Sequence, residues 1–246
     1  MRGVSLIVLL SALALAGCGD SSSEKLVFPE VTVNVPDAKT GETLRGTVFF
    51  DGDAPPARYL ASPDASCARN GHKIPDETWI VRGGRLANVL IYVKKGAEKW
   101  SFPLEKKPAD VDQKNCMFRP HVLAVRTWQP VLFKNSDSII HNVNTVGVEG
   151  FPFGTGPGVS RTRQFRKPAI GRRITCDLHA NMLMFVHILD HPWFRVTGDD
   201  GAFELGPLPP GEYEIGAWHE RGGEQVIPLT IREGTPPSPL EIHFHR

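Results

Sequence analysis

Cys176, His179 and Met182 are spaced C-x2-H-x2-M within Thr175-Cys176-Asp177-Leu178-His179-Ala180-Asn181-Met182. His141-Asn142 lies upstream in Asn135-Ser136-Asp137-Ser138-Ile139-Ile140-His141-Asn142. Two imidazoles, a thiolate and a thioether are donors that both Cu(I) and Cu(II) accept, so the set suits an ion that gains and loses one electron. The thioether is the discriminating donor. Zinc takes thiolate, imidazole and carboxylate, and iron–sulfur clusters take several thiolates, so a Cys/His/Met triplet argues against both. The residues point to one copper ion held by His141, Cys176, His179 and Met182, and to electron movement rather than conversion of a substrate.

Other chemistries lack their residues. His243-Phe244-His245 places two imidazoles on one face of a strand, but a coupled multicopper enzyme needs several such pairs and a His-Cys-His segment, and this chain has one pair and no such segment. Gly-rich phosphate loops, serine nucleophile elbows and metalloprotease helices are missing as well. The chain is not expected to be an enzyme. His121, His187, His191 and His219 read as structural.

Strands must position the donors. The apolar signal has period two or comes in short runs at Val27 to Val35, Arg45 to Phe50, Ala87 to Val93, His121 to Val125, Pro130 to Lys134, Ile139 to Val146, Arg161 to Arg166, Arg172 to Cys176 and Leu183 to Leu189. Turn residues separate them at Asp51-Gly52-Asp53-Ala54-Pro55-Pro56, Arg82-Gly83-Gly84, Lys94-Lys95-Gly96 and Pro168-Ala169-Ile170-Gly171. No stretch carries a helical stripe for three turns, and 24 Gly with 21 Pro fit a turn-rich chain. An all-β sandwich follows. Cys176 then ends one strand, His179 and Met182 sit on the loop before the next, and His141 arrives from a distant strand. Asn142 is placed to hydrogen-bond across the ligand loops or to the Cys176 sulfur, tuning the ion from outside its ligand set.

The N-terminus sets the compartment. Arg2 precedes an apolar run from Val4 to Ala16, too short to span a membrane and shaped like a secretory leader. Leu15-Ala16-Gly17-Cys18 resembles the lipobox of bacterial lipoproteins. That resemblance implies a signal peptide over 1–17, a lipid on Cys18, and a tether over 18–42 that begins with the polar run Asp20 to Lys25. The location implied is periplasmic or cell-surface, on a bacterial membrane. Loss of Arg2 with the leader lowers Lys+Arg from 28 to 27 against 27 Asp+Glu. A formally neutral chain gives no sign of nucleic acid as a partner.

In an oxidising compartment with Cys18 lipidated, Cys67, Cys116 and Cys176 leave one thiol over. If Cys176 is that thiol, Cys67 and Cys116 form a disulfide that stabilises by roughly 3–4 kcal/mol. The alternative is a second metal site, since a histidine follows each cysteine by five residues, at His72 and His121.

The segments Asn135 to Val143 and Cys176 to Met182 resemble the cupredoxins, the plastocyanin and amicyanin class of blue-copper electron carriers. More narrowly, Gly46-Thr47-Val48, Leu86-Ala87-Asn88-Val89, Val111 to Cys116, Pro120-His121-Val122 and Ala217-Trp218-His219-Glu220 are similar to a group of exported bacterial proteins with a cupredoxin-like domain. The resemblance implies a Greek-key β-sandwich over 43–190, one type 1 copper, and a redox partner such as a cytochrome or another copper protein. That group usually has His-Pro-Trp-Met where this chain has His179-Ala180-Asn181-Met182, so the loop lacks a proline and an aromatic. Met184 sits at the plastocyanin-like axial spacing and Met182 at the amicyanin-like one, which leaves Met184 as the alternative axial ligand.

Residues 191–246 are similar to carboxypeptidase regulatory-like, or transthyretin-like, β modules, through Asp199 to Leu205 and Leu208 to Ile215. The strand at Gly46 to Phe50 also resembles that module's first strand, so the copper domain either precedes the module or is inserted within it. A basic run, Arg161, Arg163, Arg166, Lys167, Arg172 and Arg173, and a glycine-rich loop carrying Phe151 and Phe153 are candidates for docking an acidic redox partner.

Overall fold

A computed structural model describes residues 25–62, 64–145 and 150–246. Cys18 and the leader lie outside the described residues, as does Val146 at the end of one expected strand. The first third of the chain forms β1 (Glu42–Phe50), β2 (Tyr59–Leu60), a 3-10 segment (Ala65–Gly71), β3 (Ile74–Pro75), β4 (Val81–Arg82), β5 (Arg85–Leu86) and β6 (Leu90–Lys95). The middle forms β7 (Ala109–Gln113), β8 (Phe118–Arg119), β9 (Val122–Arg126), β10 (Pro130–Asn135), β11 (His141–Thr145), β12 (Phe153–Thr155), β13 (Ser160–Gln164), β14 (Ala169–Thr175) and β15 (Leu183–Leu189). The end forms β16 (Phe194–Val196), β17 (Ala202–Leu208), β18 (Gly211–His219), β19 (Gly223–Ile231) and β20 (Leu240–Phe244). The fold is all-β.

Strands β7 to β15 make two sheets, ordered β13-β10-β7-β8 and β12-β11-β14-β15-β9. Alternation builds the space between them: along β10, Val131, Phe133 and Asn135 turn inward while Leu132 and Lys134 are more exposed. Val111, Phe118, Val125, Val143, Ile174, Val186 and Ile188 complete that core. β2 and β3 pair only with each other, and the remaining strands build a second sandwich, with β17-β1-β5-β4 and a parallel β20 on β1 in one sheet, and β16-β6-β18-β19 in the other. Its core includes Leu44, Val48, Ile91, Val93, Leu205, Ile215 and Ile242.

The expected boundary near residue 190 does not follow these sheets. β1 lies parallel on β20 through Gly46–Phe50 and Leu240–Phe244, and β6 pairs with both β16 and β18. The expected 43–190 domain is thus divided, and residues 96–193 are inserted into a sandwich built from the segments on either side. Two further differences have local causes. Val27–Val35 makes only the single bridge Asn34↔Ser101, with Val27, Val33 and Val35 exposed, and it meets β13 through the Gln164 side chain rather than through a backbone ladder. Pro168–Gly171 is no turn: β14 begins at Ala169, and its register against β15 shifts between Ala169 and Arg172.

β15 joins the two units because both its faces are covered. Met184, Val186 and Ile188 enter the inserted core, while Leu189 packs with Leu90 and Tyr92 of β6. The Trp218 ring of β18 lies 5.2 Å from Phe185 and 4.6 Å from His187. Gly171 makes room for that indole. Its φ is +68°, and a Cβ there would stand 2.9 Å from Trp218 Cζ2. Gly171→Ala should therefore cost at least the roughly 1–2 kcal/mol of a left-handed non-glycine residue, read as a lower urea midpoint.

Neutral histidines also line this seam. His219 stacks on Trp79 at 4.2 Å, and burial, then the nearby His121, push its pKa down to about 4. Burial alone pushes His187 down to about 3. Unfolded imidazoles titrate near 6.5, so between that pH and about 4 the unfolded chain binds more protons than the folded one. The contribution of His219, on the order of 3 kcal/mol, is full above pH 6.5 and lost as pH falls toward 4. Urea midpoints measured across that window should fall with pH, and His219→Gln should flatten the slope.

Candidate metal centre

Pairing brings the donors together. Thr175 of β14 lies opposite Leu183 of β15, so residues 176–182 close a short loop between paired strands. Within it, Met182 N–H donates to the His179 carbonyl at 2.9 Å and Cys176 N–H to the Met182 carbonyl at 3.3 Å. β11 pairs with β14 through Asn144↔Thr175 and Thr145↔Ile174, which carries His141 to the same end of the sheet. His141, Cys176 and His179 are all buried, and one donor atom from each lies within 4.8 Å of the others.

The two Nδ1 atoms stand 3.0 Å apart, and His179 Nδ1 stands 3.6 Å from Cys176 Sγ. Donors held about 2.0–2.3 Å from a shared ion are separated by roughly 3–4 Å, so the three fit one ion. The far sides of both rings meet carboxylates. His141 Nε2 lies 2.9 Å from Asp137 Oδ2, and His179 Nε2 lies 3.2 Å from Asp64 Oδ2. An Nε2–H donating to a carboxylate leaves Nδ1 free to bind a metal.

Charge among the donors favours a thiolate beside a protonated His141. Burial works to raise the Cys176 pKa, but hydrogen bonds from His141, from Asn142 N–H, from His179 and from Leu178 N–H outweigh it and hold the thiol down at about 6. Burial works to lower the His141 pKa, yet hydrogen bonds with Asp137 and Cys176 raise it to about 9. The two shifts have one cause, the attraction between a thiolate and a protonated imidazole, so a metal entering here would replace the His141 proton.

Asn142 makes hydrogen bonds both to the sulfur and across the ligand loops. Its N–H points at Cys176 Sγ from 3.5 Å. Its side chain accepts from Asp177 N–H at 2.7 Å and donates to the Asp177 carboxylate at 2.6 Å, which braces the start of the ligand loop. Met182 and Met184 are both buried in the apolar cluster that contains Cys176. Met182 belongs to the ligand loop, whereas Met184 is a β15 residue opposite Ile174.

Cys67 and Cys116 are joined by a disulfide, and Cys176 is the free cysteine among the described residues. Their sulfurs are thus spent, and they hold no second metal with His72 and His121; His121 Nε2 instead lies 2.5 Å from Glu220 Oε1. Phe151 and Phe153 pack on the inserted core rather than standing free, and the Arg163 guanidinium covers Phe153 at 4.6 Å.

Sequence reasoning missed Asp64 and Asp137. Asp137 had a signal, four residues before His141 in the Asn135 to His141 block, while Asp64 had none, being 115 residues from His179. The disulfide closes a separation of 49 residues. Replacing both Cys67 and Cys116 by Ser should cost about 3–4 kcal/mol, measured by urea unfolding of the metal-free chain.

No family model matches the chain, and no curated protein matches it. Similar solved structures include a copper-containing nitrite reductase from Thermus scotoductus SA-01, with 23% identity over 41% of this chain and 25% of that one and a TM-score of 0.33. A purple cupredoxin from Nitrosopumilus maritimus has 17% identity over 32% of this chain and 98% of its own, with a TM-score of 0.30. An oxidised amicyanin variant has 16% identity over 40% and 97%, with a TM-score of 0.31. The chain spans a quarter of the nitrite reductase's length.

Proposed function

We propose that the chain binds one copper ion in a type 1 site and carries electrons one at a time between partner proteins at a bacterial membrane surface. The observation behind this reading is the meeting of His141 Nδ1, Cys176 Sγ and His179 Nδ1 at one buried point, with Met182 and Met184 in the apolar cluster that contains Cys176. When bound there, copper would supply a one-electron couple shared between soft and intermediate donors. The residues do the rest. Strand pairing holds the thiolate and both imidazoles in place, and the Asn142 N–H directed at the sulfur draws charge from it. Val143, Ile174 and Met184 keep water from the inner side. Met182 is the proposed axial ligand because it shares the loop with Cys176 and His179.

The lipobox-like Leu15 to Cys18 and the Cys67–Cys116 disulfide support an exported, lipid-anchored chain. The exchange partner proposed is a redox protein, such as a cytochrome or another copper protein.

Absorption spectroscopy of the copper-loaded protein tests the reading. An intense thiolate-to-copper band should appear, bleach on reduction and return on oxidation. Cys176→Ser should abolish it, and Met182→Gln should shift both the band and the reduction potential. Copper bound without the band, or a band that does not cycle, would remove the carrier role. A shift produced only by replacing Met184 would move the axial position there.

A further inference from the structure

Behind the donors runs a closed circuit of contacts. Asp137 Oδ2 meets His141 Nε2, and the two imidazoles meet through their Nδ1 atoms. His179 Nε2 meets Asp64, whose carbonyl accepts from Cys67 N–H at 3.1 Å. Cys67 is bonded to Cys116, and Cys116 N–H donates back to Asp137 Oδ2 at 2.8 Å. Asn181 Nδ2, in the ligand loop, also donates to the Cys116 carbonyl at 2.8 Å.

Both carboxylates are held for this task. Asp64 Oδ1 accepts from Ser66 N–H at 2.7 Å, which fixes the turn and leaves Oδ2 for the imidazole. Asn115 and Cys116 adopt left-handed backbone, with φ of 56° and 53°. Such a conformation is unfavourable for a non-glycine residue. Here it directs two consecutive N–H groups at Asp137, the Asn115 donor at 2.6 Å. Asn135 Oδ1 accepts from Asp137 N–H at 2.9 Å and holds its backbone.

We propose that Asp64 and Asp137, linked through the Cys67–Cys116 disulfide, are positioning residues that hold both imidazoles with Nδ1 toward the Cys176 sulfur and favour the doubly charged copper ion. This rests on the copper reading above. A carboxylate behind an imidazole strengthens the ring as a donor, and negative charge beside the ion stabilises Cu(II) more than Cu(I). Two such charges lower the reduction potential of the site.

Asp64→Asn is the cleanest test, because the amide oxygen can still accept from Ser66 N–H while the charge is gone. Voltammetry of the copper-loaded variant should show a raised potential, with Cu(II) affinity weakened about 10–100-fold and Cu(I) affinity much less affected. A tenfold selective loss of Cu(II) reads as a rise of about 59 mV. Asp137→Asn should move the potential in the same direction; its melting temperature is measured alongside, since Asp137 also holds the Asn115 turn. In the metal-free chain, imidazole nitrogen NMR should show His179 locked with hydrogen on Nε2, and that preference lost in Asp64→Asn. Potentials and affinities unchanged in both variants, with the wild type showing its thiolate band, would overturn the proposal. An absent band in the wild type would instead overturn the copper reading, and the NMR would still decide whether Asp64 orders the ring; an unordered ring in the wild type would refute that role as well.

Discussion

The opposition of Thr175 and Leu183 governs the centre. Once these residues pair, the chain must reverse within the intervening loop, and Cys176, His179 and Met182 have no arrangement available except around one turn. The neighbouring register extends the constraint. Because β11 is paired to β14 at Asn144 and Thr145, Asn142 is brought opposite Asp177, and His141 arrives beside the loop from a separate part of the chain. Ladder hydrogen bonds, rather than any affinity among the donors, bring a thiolate and two imidazoles into contact. Their mutual charges then hold a thiolate against a protonated His141, whose proton a metal would displace.

That turn feeds directly into β15, which has apolar neighbours on both faces. A shift of β15 along its axis would pull Met184, Val186 and Ile188 from one core and Leu189 from its packing on Leu90 and Tyr92. Close-packed interiors resist such movement. On the outer side Cys67, Ile74, Cys116 and Met117 extend the same apolar cluster. There the disulfide and the left-handed turn at Asn115 and Cys116 add covalent and hydrogen bonds to that packing.

Much of this was legible in the sequence, and the exceptions are physical. β10 and β15 announce themselves through short apolar runs, and the spacing of Cys176, His179 and Met182 is local, so loop chemistry could be read directly. β7, Ala109–Gln113, carries two aspartates and a glutamine and shows little alternation, yet it pairs in parallel with β10 because Val111 and Gln113 face the interior. Gln113 is buried and tolerated there because its amide donates to Thr155 Oγ1 at 2.9 Å. Val27 to Val35 has the reverse character, with strand-like alternation but no ladder, its Val27 end meeting β13 only through the Gln164 side chain. Asp64 could not be read at all, since its place behind His179 exists only once a bond between Cys67 and Cys116 folds a distant segment over the centre.

β6 and β16 are neighbours in one sheet, with Tyr92 opposite Phe194. The chain departs from one of these strands and returns by the other, so the host sandwich sees the whole stretch between them as a connection across a single strand pair. Its own hydrogen-bond ladder sets no length for that connection and asks nothing of its content. What fixes the insert lies outside that ladder: the Cys67–Cys116 bond, the His179–Asp64 and His121–Glu220 contacts and the packing around Trp218 each join it to a host segment, so the insert could be exchanged only together with those partners.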